Sequence, residues 1–189
     1  MRSSGSTPSP RSERPVALWL LVAGEDHPKI CTGRRLIRRR IALPLSPERP
    51  PRRSPLLLDP HAEEPLGPGD RPLAVEGGVL GIDCSWNRLG VRGGYPEAAL
   101  WLRKVRTRRR LPWLVAANPQ HFGRLGELNT AEAFAASLWL LGEPDRALSL
   151  IEAFPGGATF LQINRARLDA YSSARTEEAL RAAEAELFP

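Results

Sequence analysis

Three short runs in this chain carry the residue types that a ligand site needs. The first is Asp83-Cys84-Ser85-Trp86, directly after the apolar stretch Val79-Leu80-Gly81-Ile82. A carboxylate there can hold an ammonium group or take a proton, and an indole beside it offers a flat face to a base or a cation. Taken alone, the tetrapeptide more often means a loop or helix cap next to ordinary core. The second is Leu111 to Glu132, LPWLVAANPQHFGRLGELNTAE. A third, Cys31-Thr32-Gly33, precedes a basic helix, where a Thr hydroxyl and backbone N–H groups can bind a carboxylate or phosphate. For an isolated Thr-Gly, plain helix capping is the commoner case.

The elements that must position these residues follow from the pattern around them. Leu111, Trp113, Leu114, Val115 and Ala116 predict a buried strand, Asn118-Pro119 ends it, and Thr130 is expected to cap a helix beginning at Ala131. Loops as long as 118–130 are uncommon unless functional. This one would wrap an adenosine, with Leu111, Leu114 and Leu128 as walls. Val79 to Cys84 predicts a second strand end beside it, and α/β proteins bind ligands outside the carboxyl ends of their strands. Pro15 to Ala23 and Leu56 to Leu58 read as further strands, and Tyr95 to Arg106 as a helix with Ala98, Leu102 and Val105 on one face. From Thr130 onward the chain reads as helices, broken at Gly142 and Gly156-Gly157. The expectation is an α/β fold with a small, mainly parallel sheet and a helical C-terminal part. Residues 1–14 are expected to be a disordered tail, 15–72 a small basic N-terminal unit, and 73–189 the ligand-binding unit with the helical end.

Charge points to a polyanion. The 189 residues carry a formal net charge of +6, and 25 of the 27 basic residues are Arg. Residues 1–124 hold 22 basic and 11 acidic residues, whereas 125–189 hold 5 and 10. Such clustering favours RNA or DNA on one face over a uniformly solvated surface. Arg34, Arg35, Arg38, Arg39 and Arg40 form one cluster, and Arg103, Lys104, Arg106, Arg108, Arg109 and Arg110 another. Two distant cysteines and three scattered histidines argue against a metal site. The apolar run Val16 to Val22 is too short to span a membrane, and Met1 to Arg14 lacks a secretory layout, so a cytoplasmic location is expected.

Jointly, D-C-S-W, then L-P-x-L-V-A-A-N-P, then L-N-T-A-E-A, with C-T-G and L-x-P upstream, resemble the ribosomal RNA aminocarboxypropyltransferase family, from about Trp19 to Tyr171. The resemblance implies a SPOUT-like parallel sheet with a trefoil knot. It implies S-adenosylmethionine as cofactor and transfer of its 3-amino-3-carboxypropyl group to N3 of a modified pseudouridine in small-subunit rRNA, with release of 5′-methylthioadenosine. Carried over, Thr32 would meet the amino-acid end of the cofactor. Leu58, Pro60 and Trp86 would line the adenine pocket, Ile82 and Leu111 would offer backbone groups, and Leu128 and Thr130 would close the loop side. Asp83 would lie near the methionine moiety, as a candidate base, and Leu89 would cover the methyl group. Arg34, Arg35, Arg38, Arg108, Arg109 and Arg110 are the expected RNA ligands, on rRNA or a pre-ribosomal particle. One departure is local: after Asn118-Pro119 this chain reads Gln-His-Phe-Gly where the family usually has x-Asn-Tyr-Gly. An RNA methyltransferase using the same pocket, and a non-catalytic ribosome-assembly factor, are the rival readings.

Overall fold

A computed structural model describes residues 14–23, 31–84 and 99–188. Trp86, Leu89, the N-terminal tail up to residue 13 and the first turn of the helix expected from Tyr95 lie outside them. Five parallel strands form one sheet: β1 (Leu18–Val22), β2 (Leu43–Pro44), β3 (Leu56–Leu58), β4 (Val79–Asp83) and β5 (Arg108–Arg109), in the order β2-β1-β4-β3-β5. β4 is central because its run is apolar on both faces, as parallel strands covered on both sides must be. Alternate residues feed opposite cores. Leu18, Leu20, Leu56 and Val79 pack under the helices, while Leu21, Leu57, Leu80 and Ile82 pack against Ala99, Leu102 and Val105.

Among the described residues six helices accompany the strands: α1 (Thr32–Arg38), α2 (Arg71–Gly77), α3 (Thr130–Leu140), α4 (Pro144–Ile151), α5 (Gly157–Ser173) and α6 (Glu177–Leu187). α3 is buried along almost its whole length and packs on β4, α1, α4 and α5. Its Phe134 ring lies so close to Gly81 that a Cβ there would meet it at 2.8 Å. Segments on either side of the boundary expected at residue 72 share one sheet and one core: β1 pairs with β4 along its length, from Leu18↔Val79 to Val22↔Asp83.

Three expectations are corrected. The run from Leu111 is extended but is not a strand of the sheet; β5 is the pair just before it. Pro112 has no N–H to give a ladder. Beyond it the backbone is satisfied by side chains from the helices. The N–H of Trp113 donates to Glu184, that of Val115 to Asn164 and that of Ala117 to Glu132, at 2.8–3.0 Å. The Trp113 carbonyl accepts from the Tyr171 hydroxyl and the Val115 carbonyl from Asn164. The other edge of the run forms a short hairpin with residues 123–126, through Val115↔Leu125. Second, Asn129 rather than Thr130 caps α3, in a reciprocal box with Glu132. That leaves the Thr130 hydroxyl available for another task. Third, the helix expected to continue to Arg106 is, in its described part, a single tight turn over Leu100–Lys104.

Candidate functional site

A cavity of about 500 Å³ opens over the carboxyl ends of β3 and β4, within the usual range for small-molecule and cofactor sites. It has a polar pole, an apolar wall and a mouth. Thr32 of α1, Asp83 of β4 and Thr130 of α3 form the pole. Leu58, Pro60, Leu111 and Leu128 form the wall, Gly81 and Phe134 the floor, and Trp113, Gln120 and His121 line the loop side. The expected cofactor residues Thr32, Leu58, Pro60, Ile82, Leu111, Leu128 and Thr130 therefore meet around one space, with Asp83 among them. They come from segments up to 98 positions apart, Thr32 to Thr130.

Asp83 is the junction of the pole. Its Oδ2 accepts from the Gly33 N–H at 3.1 Å and from the Cys31 thiol at 3.0 Å, and its Oδ1 accepts from the Thr130 hydroxyl. Three elements are thus joined through one carboxylate. Gly33 is required because a Cβ there would lie 2.6 Å from Asp83 Cγ. Burial first, and then the hydrogen bond to Asp83, push the Cys31 thiol above its ordinary value, so it stays a donor. The same sulfur accepts from the Arg34 N–H and caps α1. With both its oxygens engaged, Asp83 is built to orient and to hold a positive group.

The loop wall hangs on a second buried carboxylate. Glu132 is 2% exposed and accepts from the Ala117 N–H at 2.8 Å, from Asn118 Nδ2 at 2.7 Å and from the Asn129 N–H at 2.9 Å. Asn118 Nδ2 also reaches the Glu127 carbonyl at 3.3 Å, and its Oδ1 accepts from the His121 N–H. The loop is therefore pinned at both ends to the first turn of α3.

The two basic clusters part company. Arg34, Arg38, Arg39 and Arg40 are exposed; the first two lie on α1, whose Thr32 lines the cavity, and the other two follow its end. Arg35 is turned away from them: it donates to the Ala153 carbonyl and lies over the Phe154 ring. Arg103, Lys104 and Arg106 are exposed. Arg108, Arg109 and Arg110, expected as RNA ligands, each have an acidic side-chain partner within the chain. Arg108 pairs with Asp59, Arg109 with Asp70 and Glu64, and Arg110 makes two bonds of 2.7 Å to Glu184. That last pair strengthens the hold of Arg110 on its proton, and Arg110 also lies over the Trp113 ring.

Four contributors were not singled out as site residues from sequence. Trp113, expected in a buried strand, is 44% exposed and forms the mouth. Phe134, Glu132 and His121 are the others. Glu132 had a readable signal in its spacing of three from Asn129, and His121 in its departure from the family's usual Asn. Among the described residues no group of His, Cys, Asp or Glu side chains is arranged to hold a metal ion, and no helix is long and apolar enough to cross a membrane.

An all-parallel sheet with a part-polar, part-apolar cavity over its strand ends defines a nucleotide- or cofactor-binding α/β protein. Residues 56–188 match the family described as Ribosome biogenesis protein, C-terminal. The 16S rRNA aminocarboxypropyltransferase of Methanosarcina acetivorans is 40% identical over 168 residues, 88% of this chain and 91% of that protein. The protein of the same name from Methanocaldococcus jannaschii is 34% identical over 161 residues, covering 84% and 88%. A solved structure, the SAM-dependent rRNA:acp-transferase Tsr3 from Vulcanisaeta distributa, is similar with a TM-score of 0.73 at 30% identity, over 91% of this chain and 97% of that one. The chain belongs to the 16S rRNA aminocarboxypropyltransferase family.

Proposed function

We propose that this protein transfers the 3-amino-3-carboxypropyl group of S-adenosylmethionine to N3 of a modified pseudouridine in small-subunit rRNA, releasing 5′-methylthioadenosine. The observation that carries the reading is the convergence of Thr32, Asp83 and Thr130 on one cavity with the apolar Leu58, Pro60, Leu111 and Leu128. The residues fit the cofactor chemically. An adenine ring suits the leucine and proline wall, and the Asp83 carboxylate suits an ammonium group. The N-terminal end of α3, at Asn129 and Thr130, suits a carboxylate.

When bound, the sulfonium supplies three electrophilic carbons, and position decides which one is attacked. Asp83, held by α1 and α3, fixes the amino-acid arm at the polar pole. The floor of Gly81 and Phe134 limits depth, and the loop wall pinned by Glu132 excludes water from one side. The exposed Arg34 and Arg38, on the helix that also lines the cavity, and Arg39 and Arg40 just after it, draw an RNA backbone to its edge. Trp86 completes the adenine wall and Leu89 covers the methyl group in this reading, on the strength of the D-C-S-W motif. A knotted, SPOUT-like chain path belongs to this reading too, on the strength of the family resemblance.

The test is product analysis with purified protein and an rRNA fragment. Methylthioadenosine is expected. S-adenosylhomocysteine would mean methyl transfer instead, and RNA binding with no heat on titration of S-adenosylmethionine would mean a binding protein. Trp86→Ala should weaken cofactor affinity, since stacking area is lost.

A further inference from the structure

The transfer proposed above needs something to accept the N3 proton, because the neutral uracil nitrogen has no free pair to attack with. The described carboxylates around the cavity are committed. Asp83 accepts from three donors, and Asp59 accepts from Arg108 and from the His61 N–H. His121 is placed differently. It lines the cavity, and its Nδ1 meets Glu127 Oε2. Glu127 is in turn held by Arg124, whose Nη1 reaches both carboxylate oxygens at 3.3 and 3.2 Å. The His121 backbone is fixed as well, since its N–H donates to Asn118 Oδ1 at 3.0 Å and Asn118 is tied to the buried Glu132. This is an imidazole anchored at its backbone and oriented by a carboxylate at one ring nitrogen.

Such a pairing places the neutral ring's proton on Nδ1 and leaves the Nε2 lone pair on the other edge. Partial desolvation raises the Glu127 carboxyl, but the bonds from His121 and Arg124 outweigh it, so Glu127 lies below its ordinary value and stays anionic. An anion on Nδ1 steadies the imidazolium that forms when Nε2 takes a proton.

We propose that His121 is a catalytic residue, the general base that removes the N3 proton of the target uracil ring, with Glu127 as its positioning partner. The inference rests on the transfer reading above. In the step, the N3–H bond breaks and its proton goes to His121 Nε2. The N3 electron pair forms a bond to the terminal carbon of the aminocarboxypropyl arm. The bond from that carbon to sulfur breaks, and its electron pair stays on sulfur as the neutral thioether of methylthioadenosine. Charge balances, since the sulfonium's positive charge is lost as the imidazolium's appears. At this position the family motif usually has Asn, so the role proposed is one that this chain's own His121 supplies.

The experiment measures methylthioadenosine release under single turnover with saturating RNA and cofactor, for wild type, His121→Asn, His121→Ala and Glu127→Gln, with calorimetry of S-adenosylmethionine binding on each. The expected result is a rate roughly 100-fold lower for both His121 variants, at the low end of general-base contributions, with unchanged cofactor affinity. A smaller loss is expected for Glu127→Gln, and added imidazole should restore part of the rate of His121→Ala. A His121→Asn rate within twofold of wild type overturns the role of His121 and leaves the transfer reading standing. Wild type that releases no methylthioadenosine overturns both.

Discussion

Replacing Gly33 with alanine tests the polar pole at its tightest point. The added methyl would lie 2.6 Å from Asp83 Cγ and 2.9 Å from its Cβ, far inside ordinary van der Waals separation. Either α1 moves away from β4 or the Asp83 side chain rotates. Both break the 3.1 Å bond from the Gly33 N–H and the bond from Cys31, and rotation also removes the bond from Thr130. Hydrogen bonds to a charged group are worth about 1.5–3 kcal/mol each, so breaking two costs roughly 3–6 kcal/mol. Alanine returns about 0.5–1 kcal/mol in a helix. The net is a destabilisation of about 2–5 kcal/mol, shared between folding and cofactor binding, and at most a fall of roughly 4–20 °C in Tm. Gly69 is the matched control, since a Cβ there meets nothing within 4 Å. Thermal melts and calorimetry with S-adenosylmethionine should separate Gly33→Ala from Gly69→Ala in both stability and affinity. If the two variants melt together and bind the cofactor equally well, the Asp83 junction does not organise the site.

Other outcomes follow from the same geometry. Neutralising Arg34, Arg38, Arg39 and Arg40 together should flatten the salt dependence of RNA binding, by about 0.7–0.9 in slope for each phosphate that no longer meets a guanidinium, without lowering Tm. Arg110→Ala should instead lower stability by about 3–5 kcal/mol in denaturant melts, because Glu184 would be left buried and unpaired. Burial pushes the Tyr171 phenol from 10.0 up to about 12, so a late step in a 295 nm titration should vanish in Tyr171→Phe. In that window the unfolded chain releases the proton and the folded chain keeps it. The stability of the wild type should therefore fall between about pH 10 and 12 more steeply than that of Tyr171→Phe. Glu132→Ala should leave three donors without their acceptor and speed amide exchange across 118–129.

The legible parts of this protein are those decided by local pattern. Val79–Asp83 reads as a strand because its residues are apolar on both faces, and the helices from α3 onward read from their periodicity and from Gly142 and Gly156. The cavity residues are legible through motif, which places Thr32, Asp83 and Thr130 together without saying how they meet. What escapes is decided at long range. Arg108, Arg109 and Arg110 look like any surface charge run, and their partners Asp59, Asp70 and Glu184 lie 49, 39 and 74 positions away. The run from Trp113 to Ala117 has strand-like composition, yet its partners are Glu132, Asn164, Tyr171 and Glu184. α2 escapes because Pro72 and the glycines around it read as loop, although proline is at home in a first helical turn. Asn129 and Thr130 are both good caps, and only the position of Asp83 tells which hydroxyl or amide goes where.

The extended run that walls the cavity has a consequence for how the molecule is made. Its backbone is clasped by α3, α5 and α6, and the last of these contributes Glu184. During synthesis the strands, the polar pole and the basic helix all emerge before that clasp exists. A nascent chain therefore carries an incomplete pocket until α6 has docked, and competence to modify RNA arrives as one late event rather than growing with chain length.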